Sequence, residues 1–243
     1  MISVCMASYN GDKFIREQIT SILMQLSDDD ELIISDDGSI DDTIKIIESF
    51  NDSRIKLLHH EKTKTPYNKK SLGFYYATEN FENALKQAKG DYIFLADQDD
   101  IWLSQKVFCF MEAMKKADIV MSNFNTIDEN GTLLQENVYK KSPMKKSIVG
   151  NVIKSKFLGC CMAFNRNVLN YVLPFPEGLL AHDWWIGTLG CKKFNFSYIN
   201  TPLFLYRRSR YNVSSSTEKS NNSFFYKLKF RLDFFKLVIK RVK

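Results

Sequence analysis

Ile93-Phe94-Leu95-Ala96-Asp97-Gln98-Asp99-Asp100-Ile101-Trp102 is an apolar run that stops at three carboxylates within four positions. The apolar part predicts a buried strand. Carboxylates this close to one another disfavour their ionised forms. A divalent cation such as Mg²⁺ or Mn²⁺ removes that cost, because it takes oxygen ligands from carboxylates and from the phosphates of a substrate. The alternative is a solvated acidic turn, in which Asp99 or Asp100 caps the next helix.

Length and composition place the chain among globular α/β proteins. Its 243 residues, 44% of them apolar, are enough for one large domain with or without an appendage. No stretch offers ~18 uncharged apolar residues, so we expect no membrane-spanning helix. The start runs directly into an apolar strand, which predicts no signal peptide. Five cysteines without a Cys-x-x-Cys spacing are typical of reduced thiols in a cytosolic protein.

Strand and helix patterns alternate through the first half of the chain. Strand patterns occupy 2–8, 31–35, 54–59 and 91–96, and helical patterns fill most of the intervals between them. In the last interval, the polar stretch 61–70 is expected to be a loop, and a helix is expected near Phe74 to Ala88. This alternation predicts a Rossmann-like, mostly parallel sheet with helices on both faces.

The second half of the chain is less regular. We expect a hairpin over 120–135, short helices after Asn165 and near 183–189, and strands at 194–199 and 203–206.

Polar segments follow three of the predicted strands. These segments are Ser8-Tyr9-Asn10-Gly11, Asp36-Asp37-Gly38-Ser39 and Asp97-Gln98-Asp99-Asp100. The first offers backbone donors and an aromatic face, the second can accept hydrogen bonds from a pyrimidine base, and the third can hold a metal. Each segment alone is typical of a strand-to-helix turn. Because the carboxyl ends of parallel strands share one edge, where open α/β sheets bind ligands, the three together favour a site.

The chain resembles a family-2 glycosyltransferase with the GT-A fold. The resemblance covers residues 1 to about 215 and rests on five blocks in order: Ala7–Gly11, Ile34–Ser39 with Asp41 and Thr43, Gly90–Ile93 leading to Asp97–Trp102, His182–Trp185, and Leu205–Arg207 with Asn212-Val213. The Asp-Gln-Asp-Asp-Ile-Trp and His-Asp-Trp-Trp forms are similar to those of bacterial polysaccharide enzymes, often rhamnosyltransferases.

The resemblance implies a role for each matching residue. Ser8 and Tyr9 contact the nucleotide, with the Tyr9 ring against its base, and Asp37, or as the second choice Asp36, reads that base. Asp97 lies near the ribose and the sugar, and with Asp99 it belongs to the set that binds Mg²⁺ or Mn²⁺.

The fourth block implies the acceptor side of the site. Asp183 is the general base that deprotonates the acceptor hydroxyl. Trp184 and Trp185 can stack on the acceptor sugar, or one of them is a core residue of a helix.

One segment departs from the family pattern. Relatives commonly have Gln-His-Gly after Tyr-Arg, whereas this chain has Arg208-Ser209-Arg210 after Arg207. The missing histidine often helps to hold the metal or the diphosphate. Arg207, Arg208 or Arg210 could neutralise the diphosphate instead, because a guanidinium fork suits phosphate oxygens.

The basic charge of the chain lies in its last segment. Residues 224–243 contain seven basic residues and one acidic residue, a net charge of +6 that equals the net charge of the whole chain. An apolar helical stripe runs between the basic residues: Phe225, Leu228, Leu232, Phe235, Ile239 and Val242. This pattern predicts an amphipathic helix on an anionic membrane surface. The alternatives are a helix that packs on the catalytic domain and a helix that forms a dimer interface. Nucleic acid is not expected, because the charge does not extend over the body.

These observations predict a GT-A catalytic domain over 1–215 and a flexible segment with a C-terminal helix over 216–243. The expected activity is inverting transfer of one sugar, from dTDP-rhamnose or a UDP-hexose, to a glycan acceptor of bacterial surface polysaccharide. The acceptor is expected to be lipid-linked, and the protein cytoplasmic and peripheral at the inner face of the membrane. Processive relatives carry Gln-x-x-Arg-Trp, which this chain lacks.

Other classes of protein fit less well. A dehydrogenase is disfavoured because no Gly-x-Gly occurs. A nucleotidyltransferase is disfavoured because the first strand leads to Ser-Tyr-Asn-Gly rather than to a glycine-rich loop. An inactive nucleotide-sugar-binding or membrane-binding subunit remains the alternative.

Overall fold

Strands and helices alternate along the first half of the chain, as the sequence predicts. The computed structural model describes residues 1–63, 69–144, 147–153, 155–209 and 223–242. The first elements are β1 (Ile2–Ser8), α1 (Ile15–Leu23), β2 (Glu31–Asp36), α2 (Thr43–Glu48), β3 (Ile55–His59), α3 (Lys69–Gln87) and β4 (Tyr92–Asp97). The helix α3 begins five residues before the predicted start at Phe74, inside the stretch that was read as a polar loop.

Five strands of very different length and five α-helices make up the described residues of the second half. They are β5 (Ile101–Trp102), α4 (Lys106–Met114), β6 (Ile119–Ile127), β7 (Leu133–Gln135), α5 (Ile148–Ile153), a 3-10 turn (Gly159–Cys161, the 159–161 turn), β8 (Met162–Asn165), α6 (Arg166–Val172), α7 (His182–Lys193), β9 (Phe196–Arg207) and α8 (Phe224–Val242). The predicted hairpin is confirmed as β6–β7. The two strands predicted over 194–206 are one continuous strand, β9.

One sheet joins these strands in the order β3-β2-β1-β4-β8-β6-β9-β5, with β7 beside β6. The strands β1 to β4 are parallel, as predicted. Beyond β4 the sheet is mixed, because β8 runs antiparallel to β4 and β6, and β5 runs antiparallel to β9. Parallel pairing, as predicted, joins β1 to β4 and also β6 to β9, while the remaining pairs are antiparallel.

Strand register brings the predicted polar segments to one edge. Ser8 lies opposite Asp36, and Ala7 lies opposite Asp97, so β1, β2 and β4 end side by side. The centres of these strands are fully buried, for example at Val4, Ile33 and Phe94. Strands covered on both faces read as continuous apolar runs, which is the pattern seen in the sequence.

The C-terminal helix α8 packs on the body of the protein with one of its faces. Phe234 and Val238 are buried, and the Phe234 ring lies edge-on to Trp184 and Trp185 at centroid distances of 5.9 and 6.5 Å. The Tyr226 hydroxyl is 2.9 Å from Ser71 Oγ. The helix is thus packed on the catalytic body, which was one of the alternatives.

A second face of α8 is open to solvent. Phe225, Leu228 and Leu232, all from the predicted stripe, are exposed. Across the described ranges, no helix combines the length and apolar character that crossing a bilayer needs. Residues 216–222, the first part of the predicted C-terminal region, lie outside the described residues. The domain boundary near 215 stays a prediction.

Because one face of α8 is buried and the other exposed, replacing a phenylalanine by alanine should change the free energy of unfolding by different amounts on the two faces. Phe234→Ala should lower the free energy of unfolding by about 3–5 kcal/mol, because it removes a buried ring and leaves a cavity against two tryptophans. Phe225→Ala is the matched control, since this ring is 80% exposed, and it should change stability by less than about 0.5 kcal/mol. Urea denaturation measures both, and equal effects would contradict the observed docking face.

Candidate active site

Asp36 at the end of β2 fixes the turn that follows the strand. Its carboxylate accepts hydrogen bonds from the backbone N–H groups of Gly38 (3.0 Å) and Ser39 (2.8 Å) and from the hydroxyls of Ser8 (2.8 Å) and Ser39 (2.6 Å). Gly38 has a φ of +79°, which favours glycine. Both oxygens of Asp36 are therefore occupied by the turn, and the Ser8 hydroxyl is bound to it. In this structure both residues shape the wall of the site rather than face a ligand.

Asp37 and Tyr9, in contrast, face a common space. Tyr9 is 48% exposed, and its backbone exchanges two hydrogen bonds with the Gln98 side chain at 2.9 and 3.0 Å. One Asp37 oxygen lies 2.8 Å from His60 Nδ1, and the other lies 3.3 Å from Lys62 Nζ. The Lys62 ammonium also lies 3.8 Å from the centroid of the Tyr9 ring.

His60 and Lys62 were missed by sequence reasoning. They follow β3, which was read as leading into a polar loop. The signal was available, because β3 is parallel to β2 and pairs His59 with Asp36. The residue after each strand therefore lies beside its counterpart on the neighbouring strand.

An acidic cluster forms where β4 ends. Carboxylate oxygens of Asp97 and Asp100 and the Cys160 sulfur lie within 4.8 Å of one another. Asp100 Oδ1 accepts the Arg207 backbone N–H at 3.0 Å. Asp100 Oδ2 is buried and receives no N–H or O–H hydrogen bond from the described residues, and the Cys160 thiol beside it is only a weak donor.

Burial and mutual repulsion raise the pKa values of the acidic residues in this cluster. Burial raises the pKa of Asp97 and, well above its usual range, that of Asp100. Burial, with the charge of Asp97, raises the pKa of Asp99 to about 7. A buried carboxylate oxygen without a donor fits a hard divalent cation, which accepts oxygen ligands. The carboxylates of Asp97, Asp99 and Asp100 therefore fit Mg²⁺ or Mn²⁺, whereas the Cys160 thiol is a neighbour of the cluster, because burial raises its pKa and thiolates prefer softer metals.

Arg207 holds this cluster to the rest of the fold. It is 3% exposed, and its Nε donates to the Asp99 carbonyl at 2.9 Å. Its Nη1 donates to the carbonyls of Asp128 and Glu129 at 3.3 Å, and its Nη2 donates to Glu17 Oε2 at 2.5 Å. Its guanidinium is thus engaged within the protein on every nitrogen, and a role of Arg207 in neutralising a diphosphate stays a prediction.

Arg208 and Arg210 are the other basic residues of the segment that begins at Arg207. The backbone N–H of Arg208 donates to the Ile127 carbonyl at 2.8 Å, which extends the β6–β9 pairing. Arg210 lies outside the described residues.

Asp183 lies at the first turn of α7, close to the acidic cluster. Burial raises its pKa to about 7, and the charge of Asp97 adds to this shift. Its Oδ1 accepts the backbone N–H of Trp184 at 2.8 Å. Gly159 allows the close approach, since a Cβ there would lie 3.2 Å from His182 Nε2 and 3.8 Å from the Asp183 Cβ. The structure thus brings Asp183 and Asp97 together, although 86 positions separate them in the sequence.

The two tryptophans after Asp183 point away from the open site. Trp185 is 1% exposed and its Nε1 donates to the Val172 carbonyl at 3.0 Å. Trp184 packs edge-on against Phe230 of α8, with ring centroids 5.3 Å apart. The expectation that these rings stack on an acceptor sugar is corrected for Trp185, which is a core residue, and in this structure the Trp184 ring contacts α8.

The position of Arg207 predicts a structural effect of its removal. Arg207→Met should lower the free energy of unfolding by about 3 kcal/mol, because it leaves buried carbonyls without a donor. Lys115→Met is the control, since it breaks an exposed ion pair with Glu112 and should cost less than about 1 kcal/mol. Urea denaturation measures both. Unchanged stability, together with a raised donor KM, would instead support the diphosphate role.

Comparison with known proteins agrees with this geometry. Residues 3–173 match the family model described as Glycosyl transferase family 2. Over 226 residues the chain is 31% identical to the Escherichia coli UDP-Glc:alpha-D-GlcNAc-diphosphoundecaprenol beta-1,3-glucosyltransferase WfgD. The aligned region covers 91% of this chain and 80% of that protein. It is 25% identical over 217 residues to the Shigella flexneri dTDP-rhamnosyl transferase RfbG, covering 85% and 72% of the two chains.

A solved structure shows the same fold. The structure of S. aureus TarS 1-349 in complex with UDP-GlcNAc aligns with a TM-score of 0.67 at 20% identity, over 95% of this chain and 65% of that one. The resemblance and the fold class drawn from the sequence are both confirmed. Because the family model spans β1 to α6, and therefore the three strand ends that build the site, this chain belongs to glycosyl transferase family 2.

Proposed function

We propose that this protein transfers one sugar, with inversion, from a nucleoside diphosphate donor to a glycan hydroxyl in the synthesis of a bacterial surface polysaccharide. The observation that carries the proposal is the placement of Asp183 beside the acidic cluster, with a pKa near neutrality. A single displacement needs a base on the acceptor side and charge stabilisation on the donor side. Both groups lie next to the 159–161 turn, the acidic cluster at the Cys160 sulfur and Asp183 at Gly159.

The nucleotide occupies the space between Tyr9 and Asp37. A base stacked on the Tyr9 ring takes the place of the Lys62 ammonium, and its N3–H donates to the Asp37 carboxylate. Uracil and thymine both offer this N3–H, so dTDP-rhamnose and a UDP-hexose both fit. The E. coli relative is named for UDP-Glc and the Shigella relative for dTDP-rhamnose transfer, which supports the same two donors.

Asp97, Asp99 and Asp100 hold the Mg²⁺ or Mn²⁺ ion that accompanies the diphosphate. When bound, the ion acts as a Lewis acid on the leaving diphosphate. The protein contributes by holding these carboxylates in place, through the bonds that Arg207 makes to Asp99 and Asp100.

Removal of the metal should lower both activity and ligand binding. We expect EDTA to abolish sugar transfer and Mn²⁺ or Mg²⁺ to restore it. Thermal unfolding should shift upward with one donor in the presence of Mn²⁺, because a ligand that binds the native state stabilises it. The shift should disappear in EDTA and in Asp99→Asn.

Asp118→Asn is the control, since this residue lies in the β6 region and bonds Asn165 and Asn195. Full activity in EDTA would contradict the proposed role of the metal ion.

Asp183 removes the proton from the acceptor hydroxyl. Burial disfavours its charged form, so the carboxyl changes its protonation near pH 7 and can accept a proton at neutral pH. Below that pH the carboxyl is protonated and cannot act as a base.

The pKa of Asp183 predicts how activity and stability depend on pH. Transfer should rise with pH through about 7, and Asp183→Asn should lower kcat by about 10²–10⁴-fold. Because the folded-state pKa is raised, the stability that this group contributes is present at low pH and is lost as pH rises through about 7. Asp183→Asn should therefore be more stable than the parent protein at pH 8. A pH–rate profile and urea denaturation test the two parts, and an active Asp183→Asn protein would remove Asp183 from the mechanism.

The acceptor is carried on a lipid at the inner face of the cell membrane, and α8 holds the protein there. Five apolar side chains of α8 are exposed, and the basic side chains of the helix flank them; the five are Phe224, Phe225, Leu228, Leu232 and Val242. The neighbouring helix α5, which contacts α8, adds exposed Val149 and Ile153. The name of the E. coli relative specifies a diphosphoundecaprenol acceptor, which supports this class of acceptor here.

The exposed face of α8 predicts binding to anionic vesicles. Truncation of 224–243 would uncover Trp184 and Trp185, so substitution is the sharper test. Phe225→Ser/Leu228→Ser/Leu232→Ser should abolish sedimentation with phosphatidylglycerol vesicles and leave the melting temperature nearly unchanged. Leu133→Ser/Leu134→Ser is the control, because these leucines are exposed on β7. Equal binding by all three proteins would reject the membrane surface.

A further inference from the structure

Lys106, the first residue of α4, is a fully buried cation. Its Nζ donates to the Cys160 carbonyl at 2.8 Å. The ammonium lies 4.2 Å from the centroid of the Trp102 ring and 4.4 Å from that of Phe204. Burying an ammonium is costly, and a methionine would fill similar space without that cost. The charge at this position therefore calls for a role other than packing.

The carbonyl that Lys106 holds belongs to the 159–161 turn, which lies between the two halves of the site. The Cys160 sulfur faces the carboxylates of Asp97 and Asp100. Gly159, at the start of the turn, lies next to the beginning of α7, because a Cβ added there would meet His182 Nε2 at 3.2 Å and the Asp183 Cβ at 3.8 Å. The turn is three residues long and buried throughout, so a displacement of its backbone moves both contacts together.

We propose that Lys106 is a positioning residue of the transfer reaction, which anchors the 159–161 turn and so keeps the acidic cluster and Asp183 at a fixed separation. The proposal rests on the proposed function for its catalytic part. Lys106 is too deeply buried to touch a substrate. It acts through the Cys160 carbonyl, while the rings of Trp102 and Phe204 pack around the ammonium without bonding to that oxygen.

A competing role for Lys106 is that of a counter-ion alone. The charges of Asp97 and Asp100 do act on the ammonium and oppose the effect of burial, which lowers its pKa to about 8. A counter-ion would affect the binding of the donor and its cation. An anchor would affect the rigidity of the turn and the catalytic step, because the base pocket at Tyr9 and Asp37 is built from β1 and β2 and does not include the turn.

Lys106→Met separates these roles, with a readout that does not need activity. Cys160 and Cys161 are buried and reduced in the structure, as is Cys5 on β1. We would alkylate the native protein and follow each cysteine by peptide mass spectrometry. If Lys106 anchors the turn, labelling of Cys160 and Cys161 relative to Cys5 should rise by at least ~10-fold in Lys106→Met, because the turn opens locally. Phe204→Leu is the matched control, since it alters the same pocket but keeps the ammonium–carbonyl bond, and it should leave that ratio unchanged.

Kinetics provide the second readout. In Lys106→Met, kcat should fall on the order of 10²-fold, the effect of misplacing a catalytic group by about 1 Å, while the Kd for UDP or dTDP stays within ~3-fold. Equal labelling of all three cysteines, an unchanged labelling ratio, or loss of nucleotide binding in step with kcat would overturn the anchoring role. Absence of transfer by the unmodified protein would overturn the proposed function instead, and the labelling ratio would still decide whether Lys106 anchors the turn.

Discussion

The clustering of three carboxylates at the end of β4, one buried and two half-buried, is the constraint on which the rest of this structure depends. Asp97, Asp99 and Asp100 repel one another, and desolvation raises the cost of ionising each of them. The fold brings two cations to this point. Arg207 binds the loop backbone, and Lys106 lies beneath it against the Cys160 carbonyl. The cluster is therefore held by groups from β9 and α4, and not by the loop itself.

This arrangement ties the two halves of the sheet together. The parallel strands β1 to β4 bring the residues proposed to face the nucleotide to one edge, while the mixed half of the sheet carries Arg207 and the 159–161 turn. Arg207 also bonds the turn after β6 and Glu17 of α1. A change at the end of β9 is thus felt at the end of β4, because one guanidinium is bonded to both regions.

The helix α8 connects the site to the surface. Its buried face packs on Trp184, next to Asp183, and its open face carries apolar and basic side chains. An amphipathic pattern alone does not distinguish a docked helix from an interfacial one, because both need an apolar stripe. In α8 the two stripes are different: Phe230, Phe234 and Val238 face the body, whereas Phe225, Leu228 and Leu232 face solvent.

Local patterns in the sequence were sufficient for the strand–helix alternation, the convergence of Ser8, Asp37 and Asp97 at one edge, and the family, because these follow from periodicity and from the order of short motifs. Tertiary contacts decided the rest. The sequence could not show that Arg207 bonds Glu17, or that Trp185 points inward, because such orientations depend on partners far away along the chain. The sequence did not point to Cys160 or Lys106 for the same reason. A buried group takes its role from the groups around it, and only the folded chain brings those groups together.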